Sequence, residues 1–370
     1  MVIDTEEYSR EVYKLDSTGK VRVLHVFTEG ADVIQSSGLL DGNLTEHRSA
    51  SVGKNIGRSN ETTPEEQAKL EAESKIVNKM SKGYFDTVEE AEASSVKLPM
   101  LAKSYDKESK KIDWTKNVFI QPKLDGMRCF AVVEDGKCEL YSRAGKLIDT
   151  CLHVNAAIEA LNPTDTILDG ELYAHGYTFQ ENMKAIKKVR PTAEDGVPAT
   201  SEVCLHLYDV VADVPYIKRY TSITLFCKVA DTPTLNLVAC YKIGTEAQIK
   251  DFHSKFISEG FEGSIIRHGD DGYVVTKRAT QLLKYKDFID IACKVIDIKP
   301  SNKRPEHGEC VCEHDGHIFG TGMKFSHKER AEILLNKDKY VGQTAEIRFF
   351  EFTDDGVPRF PVCVGFRLDK

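Results

Sequence analysis

The alternation of apolar and polar positions in the first quarter of the chain predicts a small β-sheet. Residues 8–27 alternate around a Ser-Thr-Gly turn, which is typical of a β-hairpin. Residues 30–43 predict a third strand and a glycine-rich turn. Small and apolar residues then recur at helical spacing over 59–84, with Thr62 or Thr63 as the N-cap. This region therefore predicts three strands followed by one long helix.

Short strands dominate the centre of the chain, with turn residues between them. The predicted strands lie at 117–124, 128–135, 138–145, 166–173 and 202–211. The predicted helices lie at 153–161, roughly 178–188, and 245–258.

The last 82 residues predict five short strands and one helix over HKERAEILLN, a combination that fits a small β-barrel of the OB type. The fold class is therefore α+β. We expect domains at 1–90, 97–288 and 289–370, with a linker at 91–96.

Charge is distributed unevenly along the 370 residues. The formal net charge is −8, of which −7 lies in residues 1–92, 0 in 93–288 and −1 in 289–370. The total argues against a generic nucleic-acid coat protein, but the balanced remainder leaves room for a local basic surface.

The chain contains no run of 18 apolar residues and begins with a charged segment. We therefore expect a cytoplasmic protein with no membrane partner. A reducing compartment makes disulfides among its ten cysteines improbable. Cys310 and Cys312 form the one close pair, and a zinc site there is much less probable than two small apolar residues in a sheet.

Candidate chemistry begins at Lys123, in the segment Lys-Leu-Asp-Gly-Met-Arg. The segment alone would more often be a surface turn. Lysine becomes a nucleophile only when its amine is deprotonated, which desolvation or nearby cations can favour.

Further charged residues follow Lys123 in strand-like segments. Glu171 and Glu262 are carboxylates that suit a divalent cation such as Mg²⁺. Lys284 and Lys286 are two residues apart, so on a strand both point to one side, where they suit a phosphate. Each signal is weak alone, but their joint occurrence favours a catalytic site.

Six segments occur in the order found in ATP-dependent DNA ligases, and the chain resembles that family over residues 97–370. They are PMLAKSY, KLDGMR, LDGELY, LYDVV, EGSIIR with LLKYK, and the terminal PRFPVCVGFRLDK. The resemblance to small phage and viral ligases implies a nucleotidyltransferase (adenylation) domain and an OB domain.

The resemblance implies that Lys123 attacks the α-phosphate of ATP and holds AMP covalently. Gln121 and Pro122 would lie beside the adenine. Arg128 would contact the ribose, and Arg143 would approach the phosphate of AMP or of the nick.

It also implies roles for the residues that follow. Glu171 would bind the ribose hydroxyl or place metal, Tyr208 would stack on adenine, and Glu262 would bind Mg²⁺. Lys284 and Lys286 would hold the α-phosphate.

In the terminal motif, Arg367 and Lys370 would orient pyrophosphate, with Arg359 as a weaker candidate. The expected substrates are ATP and nicked duplex DNA, sealed by a monomer through lysyl-AMP and adenylated DNA. An RNA ligase or an mRNA capping guanylyltransferase is the alternative enzyme, and a non-catalytic DNA-nick binding protein is the alternative outside catalysis.

The first 90 residues resemble a WGR-type domain, a sheet-plus-helix module of some DNA-break proteins. Ser37-Gly38-Leu39 stands where the family has Trp-Gly-Arg. The module is therefore expected either to bind DNA ends or to serve a structural or protein-docking role. The residues that could still form a basic spot are Arg48, Lys54 and Arg58.

Overall fold

The computed structural model describes residues 7–16, 19–80, 83–93, 99–275, 278–302 and 304–367. The chain divides into two compact units, Met1–Tyr285 and Lys286–Lys370. The last domain boundary predicted from the sequence, after residue 288, lies three residues beyond the end of the first unit.

The first unit begins with an antiparallel sheet of order β1-β2-β3-β4. The strands are β1 (Ser9–Leu15), β2 (Val21–Glu29), β3 (Asp32–Leu39) and β4 (Thr45–Ala50). The predicted hairpin and third strand are confirmed, but the expectation of three strands was wrong. The missed strand β4 has six exposed residues, Thr-Glu-His-Arg-Ser-Ala, so it shows no apolar alternation.

One long helix, α1 (Pro64–Met80), packs on this sheet through Ala68, Ala72 and Ile76. Thr63 is its N-cap, because its hydroxyl accepts a hydrogen bond from the N–H of Glu66 (3.2 Å). A short helix, α2 (Val88–Ala93), follows. The predicted linker 91–96 thus begins inside a helix, and its last three residues lie outside the described part of the chain.

Two five-stranded sheets form the rest of the first unit. One has the order β11-β10-β9-β7-β8 and the other β12-β6-β13-β14-β5. Their strands are β5 (Leu101–Ser104), β6 (Val118–Lys123), β7 (Met127–Glu134), β8 (Lys137–Ser142), β9 (Thr166–Tyr173), β10 (Cys204–Val210), β11 (Leu235–Leu237), β12 (Tyr241–Ile243), β13 (Gly263–His268) and β14 (Arg278–Tyr285).

Five helices accompany these sheets: α3 (Tyr105–Glu108), α4 (Leu152–Glu159), α5 (Phe179–Lys187), α6 (Tyr216–Ala230) and α7 (Glu246–Ser258). The three helices predicted here, α4, α5 and α7, are confirmed. Helix α6 was missed because its sequence, YIKRYTSITLFCKVA, is rich in β-branched and aromatic residues that favour strands. Its buried Ile223 packs in the core behind β9 and β10, and that tertiary packing overrides local preference.

The second unit contains β15 (Ile289–Pro300), β16 (Gly308–His314), β17 (His317–Met323), α8 (His327–Leu335), β18 (Thr344–Phe349) and β19 (Val362–Arg367). The strands pair in the closed order β15-β16-β17-β19-β18, and β18 returns to β15. The closing pair β17–β19 shares only two residue pairs. The predicted five strands and one helix are confirmed. In the described residues, no helix is long and apolar enough to cross a membrane.

Candidate active site

Strand register brings Lys123 and Glu262 together. Lys123 ends β6 and pairs with Gly263, the first residue of β13, so Glu262 lies directly beside it. The N–H of Glu262 donates to the Lys123 carbonyl (2.9 Å), and the Lys123 Nζ donates to the Glu262 carboxylate and to the Leu124 carbonyl (3.3 Å). The Glu262 side chain is buried and the Lys123 side chain is partly exposed. The pair fixes the amine at the end of a strand.

The glycine of the Lys-Leu-Asp-Gly segment is required by close packing. A Cβ on Gly126 would lie 2.3 Å from the Leu172 carbonyl oxygen and 3.0 Å from Cγ of Glu171. Only glycine therefore allows the turn after Lys123 to approach β9 this closely. The turn after Lys123 therefore lies against the strand that carries Glu171.

Glu171 lies on β9, between Arg128 on β7 and His206 on β10. Burial raises the pKa of Glu171 to about 7, and the charges of Lys123 and Arg128 oppose that rise. The Tyr208 hydroxyl donates to the Gly170 carbonyl (3.0 Å) and lies 3.3 Å from the Glu171 carboxylate. The structure thus brings four of the predicted residues, Lys123, Arg128, Glu171 and Tyr208, into one region.

Arg128 is held by Asp169, a residue that the sequence analysis did not single out. Its guanidinium donates two hydrogen bonds to the fully buried carboxylate (2.9 and 2.6 Å). The Tyr273 hydroxyl donates to the same carboxylate (2.6 Å). Asp169 lies two residues before Glu171 on the same strand, so both face the same side. A charged residue within an apolar strand was the signal available in the sequence.

A buried network behind Gln121 was also missed. The Gln121 side-chain oxygen accepts a hydrogen bond from Arg267 (2.8 Å), which in turn pairs with Asp209 on the other sheet. Asp209 also accepts a hydrogen bond from Arg219 on α6 (2.7 Å). All four side chains are buried. The network ties β6 and β13 of one sheet to β10 of the other.

Lys284, Arg143 and Arg278 form a group of cations near Lys123. Burial, followed by the charges of Lys123, Arg278 and Arg143, lowers the pKa of Lys284. Burial, Arg128 and Arg278 likewise lower the pKa of Arg143. Arg278 begins β14 and donates to the Ala102 carbonyl (3.0 Å), and it was not predicted. Mutual repulsion among these cations favours binding of an anion.

A cavity of about 340 Å³ opens beside Lys123, bounded by Pro122 and Leu124. Burial lowers the pKa of His206 to about 4, so this wall residue is neutral at pH 7. The other residues that line the cavity are largely aromatic or apolar, including Tyr173, His175, Leu237, Val238, Tyr241, Phe256 and Phe261. Lys255 and Glu259 are the charged residues of the lining. A planar, largely uncharged group would fit such a lining.

The remaining predicted residues belong to the second unit. Lys286 Nζ lies 4.5 Å from the centre of the Phe350 ring. Arg359 pairs with the Glu351 carboxylate. Arg367 pairs with Glu346 (3.0 Å) on the surface of that unit. Lys370, also predicted, lies outside the described residues.

The donor set near Lys123 fits a hard divalent cation held jointly by protein and substrate. Glu171 and Glu262 supply two carboxylates, and Mg²⁺ commonly uses one or two carboxylates together with substrate phosphates. Within the described ranges, no group of three or more His, Cys, Asp or Glu side chains could hold a metal by itself. All ten cysteines are free thiols.

Comparison with known proteins supplies the functional context. Residues 99–286 match the family model described as an ATP dependent DNA ligase domain, and residues 305–367 match a DNA ligase OB-like domain. The DNA ligase of Enterobacteria phage T4 is 26% identical over 335 residues, covering 73% of this chain and 68% of that protein. A DNA ligase of African swine fever virus is 24% identical over 341 residues, covering 85% and 78%.

Solved structures show the same fold. One described as "Pmar-Lig_Pre." superposes with a TM-score of 0.65 at 23% identity, covering 79% of this chain and 71% of the other. Another, from a study of DNA binding by Lig E DNA ligases, has a TM-score of 0.59 at 22% identity, covering 74% and 100%.

Proposed function

Because the chain belongs to the ATP-dependent DNA ligase family, we propose that this protein seals nicks in duplex DNA through a covalent enzyme–AMP intermediate on Lys123. The adenylation and OB-like domains of that family are both present. The contact between Lys123 at the end of β6 and Glu262 at the start of β13 is the main observation that supports Lys123 as the nucleophile.

The first step is attack of the Lys123 amine on the α-phosphate of ATP, with release of pyrophosphate. Phosphoryl transfer depends mainly on positioning and on neutralising charge at the transferred group. Lys284 and Arg143 are the predicted phosphate-binding cations. Burial lowers the pKa of both, and neighbouring cations lower it further, which supports a group of positive charges there. We add Arg278 to this set because its charge acts on both of them.

We propose that the adenosine part of ATP binds in the cavity beside Lys123. Pro122 lines that cavity, and Tyr208 packs in the same small apolar cluster as Leu124, Tyr173 and Val238. Gln121 is held by Arg267, which supports a fixed orientation beside the base. Arg128 keeps its bidentate bond to Asp169, and we propose that it supports the ribose contact of Glu171.

Glu171 and Glu262 would hold Mg²⁺ together with the phosphates of ATP. When bound, the metal supplies positive charge to the phosphate oxygens. The protein residues fix the carboxylates on two different sheets, Glu171 on β9 and Glu262 beside β13.

In the later steps, AMP passes from Lys123 to the 5′-phosphate at the nick. The 3′-hydroxyl then attacks that activated phosphate and AMP leaves. The second unit would contribute Lys286 to the α-phosphate, and Arg359, Arg367 and Lys370 to the pyrophosphate of the first step. We propose functional domains at 1–90, 97–288 and 289–370, so that Lys286 lies near the end of the adenylation domain although the compact second unit begins with it.

We also propose that the N-terminal module is WGR-like. Its four strands and one long helix support that assignment, as does the close packing of Gly38. A Cβ there would lie 2.5 Å from the Asn43 carbonyl oxygen, so the glycine of the Ser37-Gly38-Leu39 segment cannot be replaced without movement. The segment thus retains the glycine that the Trp-Gly-Arg resemblance requires.

The nucleophile is tested by incubating the protein with Mg²⁺ and α-labelled ATP or GTP. We expect acid-labile label on the protein from ATP, and its complete loss in Lys123→Ala. Lys116→Ala, which changes an exposed lysine before β6, is the matched control and should label normally. Label that persists in Lys123→Ala would show that another residue carries AMP.

Substrate choice separates the ligase from its alternatives. We expect sealing of a nicked DNA duplex in preference to a nicked RNA duplex. Label from GTP alone would indicate a capping guanylyltransferase, and label from neither nucleotide would indicate a binding protein.

A further inference from the structure

His206 is a polar residue of the cavity wall beside Lys123 that the proposed function does not use. Its side chain is partly buried and lines the cavity. It lies opposite Glu171 in the register of β10 and β9, and two residues before Tyr208 on its own strand. Directly opposite residues of antiparallel strands have Cβ atoms about 4.5–5.5 Å apart, and alternate residues of a strand share a face. His206 therefore lies beside the carboxylate proposed for the ribose and the ring proposed for the adenine.

The ring of His206 is oriented by Tyr173. It packs edge-on against the Tyr173 ring, with centroids 5.5 Å apart and an interplanar angle of 74°. The imidazole also forms a hydrogen bond with the Tyr173 backbone, and this bond favours the protonated ring. The backbone partner is therefore the carbonyl oxygen, which accepts a ring N–H. Since a neutral imidazole has one donor and one acceptor nitrogen, the other ring nitrogen is the acceptor.

Burial keeps this imidazole neutral. Loss of solvent lowers the pKa of His206 to about 4, the hydrogen bond to the backbone opposes the fall, and the charge of His175 adds to it. At pH 7 the ring therefore carries one proton. The wall of the cavity thus keeps a nitrogen lone pair throughout the neutral pH range.

Other polar groups of the lining are engaged with one another. The Tyr173 hydroxyl is hydrogen-bonded to Nδ1 of His175 (2.8 Å). Lys255 and Glu259 form an ion pair (2.5 Å), and both side chains are exposed. Most of the remaining lining is apolar or aromatic. His206 is therefore well placed to contact the polar edge of a base in the cavity.

Purine bases differ in what they present to an acceptor. Adenine carries a 6-amino group, which donates hydrogen bonds, whereas guanine carries a 6-oxo group, which accepts them. A lone pair in the wall pairs with the amino group but repels the oxo group. Glu171 lies outside the cavity lining and His206 belongs to it, so the group that faces His206 is the base and not the ribose.

We propose that His206 selects ATP by accepting a hydrogen bond from the 6-amino group of adenine. This inference rests on the proposed binding of adenosine in the cavity beside Lys123. It places the choice between ATP and GTP on a residue outside the Lys-Leu-Asp-Gly segment. The competing explanation is structural, in which His206 only packs against Tyr173.

The test compares ATP with purine ribonucleoside triphosphate, which is ATP without the 6-amino group. The rate of self-nucleotidylation is measured by intact-protein mass spectrometry as a function of nucleotide concentration. We expect the wild type to prefer ATP by about three- to tenfold in kcat/KM, the range for one neutral hydrogen bond. His206→Phe keeps an aromatic ring against Tyr173 but removes the acceptor, so its preference should fall to about one. His206→Gln supplies an amide oxygen and should retain a preference, and His47→Ala, an exposed histidine on β4, is the matched control.

Inosine triphosphate, which carries a 6-oxo group, gives a second comparison. The wild type should use it less well than the analogue without a 6-substituent, and His206→Phe should remove that difference. The same preference for ATP in the wild type and in His206→Phe would overturn the proposal. An equal loss of rate with all three nucleotides would also overturn it, in favour of the structural role.

Calorimetric titration of the Lys123→Ala protein with the same nucleotides separates this inference from the proposed function. We expect the preference for ATP to appear in Kd, because base recognition does not need the nucleophile. Binding with that preference, but without nucleotidylation of the wild type, would contradict the lysyl-AMP proposal and support this inference. Equal Kd values for ATP and the analogue, or no binding of ATP, would overturn this inference.

Discussion

Glu171 and Glu262 flank Lys123 but sit in different surroundings. Glu262 meets the Lys123 ammonium directly, whereas Glu171 is a desolvated carboxyl whose hydrogen-bond contact is the Tyr208 hydroxyl. Burial raises the pKa of Glu171 to about 7. Glu262 therefore positions the nucleophile, whereas the charge of Glu171 depends on pH near neutrality.

This raised pKa predicts a specific pH dependence. If the charged form of Glu171 binds ribose or Mg²⁺, the rate of self-adenylation should rise between about pH 6 and 8. Glu171→Gln should lower the rate and remove the ionisation near 7, and Glu134→Gln, on the exposed end of β7, should leave the profile unchanged. The same ionisation in the Glu171→Gln profile would assign it to another group.

The free energy of unfolding should change with pH in the opposite direction to the rate of self-adenylation. The carboxyl has a folded pKa of about 7 against an ordinary value of 4.5, so the native state favours its neutral form. The stability contributed by that neutral form should be lost as pH rises from about 4.5 through 7. Glu171→Gln should remove this loss in urea unfolding experiments.

At the scale of elements, the two central sheets are joined by buried charge. Asp209 on β10 pairs with Arg267 on β13 and with Arg219 on α6. Removing one partner of a buried pair leaves the other charges uncompensated. The network therefore holds together the two sheets that carry Gln121, Lys123 and Glu171.

Asp209→Asn should lower the free energy of unfolding by about 3–5 kcal/mol, because two buried guanidinium groups lose their counter-charge. Asp135→Asn is the matched control. Asp135 is an exposed turn residue with positive φ (49°), which asparagine tolerates, so we expect a change within about 0.5 kcal/mol. Equal unfolding midpoints in urea for wild type and Asp209→Asn would contradict a stabilising role of the network.

Two of the three cations of the basic spot predicted in the N-terminal module are paired with carboxylates. Arg48 pairs with Glu29 and Asp32, and Lys54 pairs with Glu71 (3.1 Å). The basic spot considered from the sequence is therefore largely neutralised. Together with the net charge of −7 in residues 1–92, this favours a structural or docking role for the module.

Replacing Arg48 and Lys54 by alanine should accordingly change the Kd for a nicked duplex by less than about twofold. Surface ion pairs contribute little, so stability should also change little. A loss of affinity greater than about tenfold, with unchanged unfolding behaviour, would instead indicate that this module grips DNA phosphates.

At the scale of the whole molecule, the proposed first step uses both units. Lys123 and its neighbours belong to Met1–Tyr285, whereas Lys286, Arg359 and Arg367 belong to Lys286–Lys370. A chain that ends at Tyr285 should fold but should form enzyme–AMP at least about 100-fold more slowly, because removing even one preorganised donor to a developing charge costs about 10²–10³ in rate.

The full chain carrying Arg367→Ala tests the same point without a truncation. We expect a slower self-adenylation in that variant as well, measured by label transfer from ATP. Wild-type rates in both proteins would remove the pyrophosphate role proposed for the second unit.

Local sequence patterns were sufficient to predict the order of the motifs, the nucleophile candidate, the sheet-plus-helix start and the five-stranded end. These features depend on local residue patterns: alternation, helical spacing, capping at Thr63 and a lysine before a glycine turn. The missed elements had misleading local patterns. Strand β4 is polar throughout, and α6 has the composition of a strand.

The contacts among charged residues could be known only from the folded structure. Strand pairing placed Glu262 against Lys123, close backbone approach required Gly126, and packing of two sheets buried Asp169 and Asp209 with their arginines. It also showed that the charge of Arg278 acts on both Arg143 and Lys284. Spacing along a chain fixes which face of one element a side chain occupies, but contacts between distant elements depend on register and burial, which local sequence does not encode.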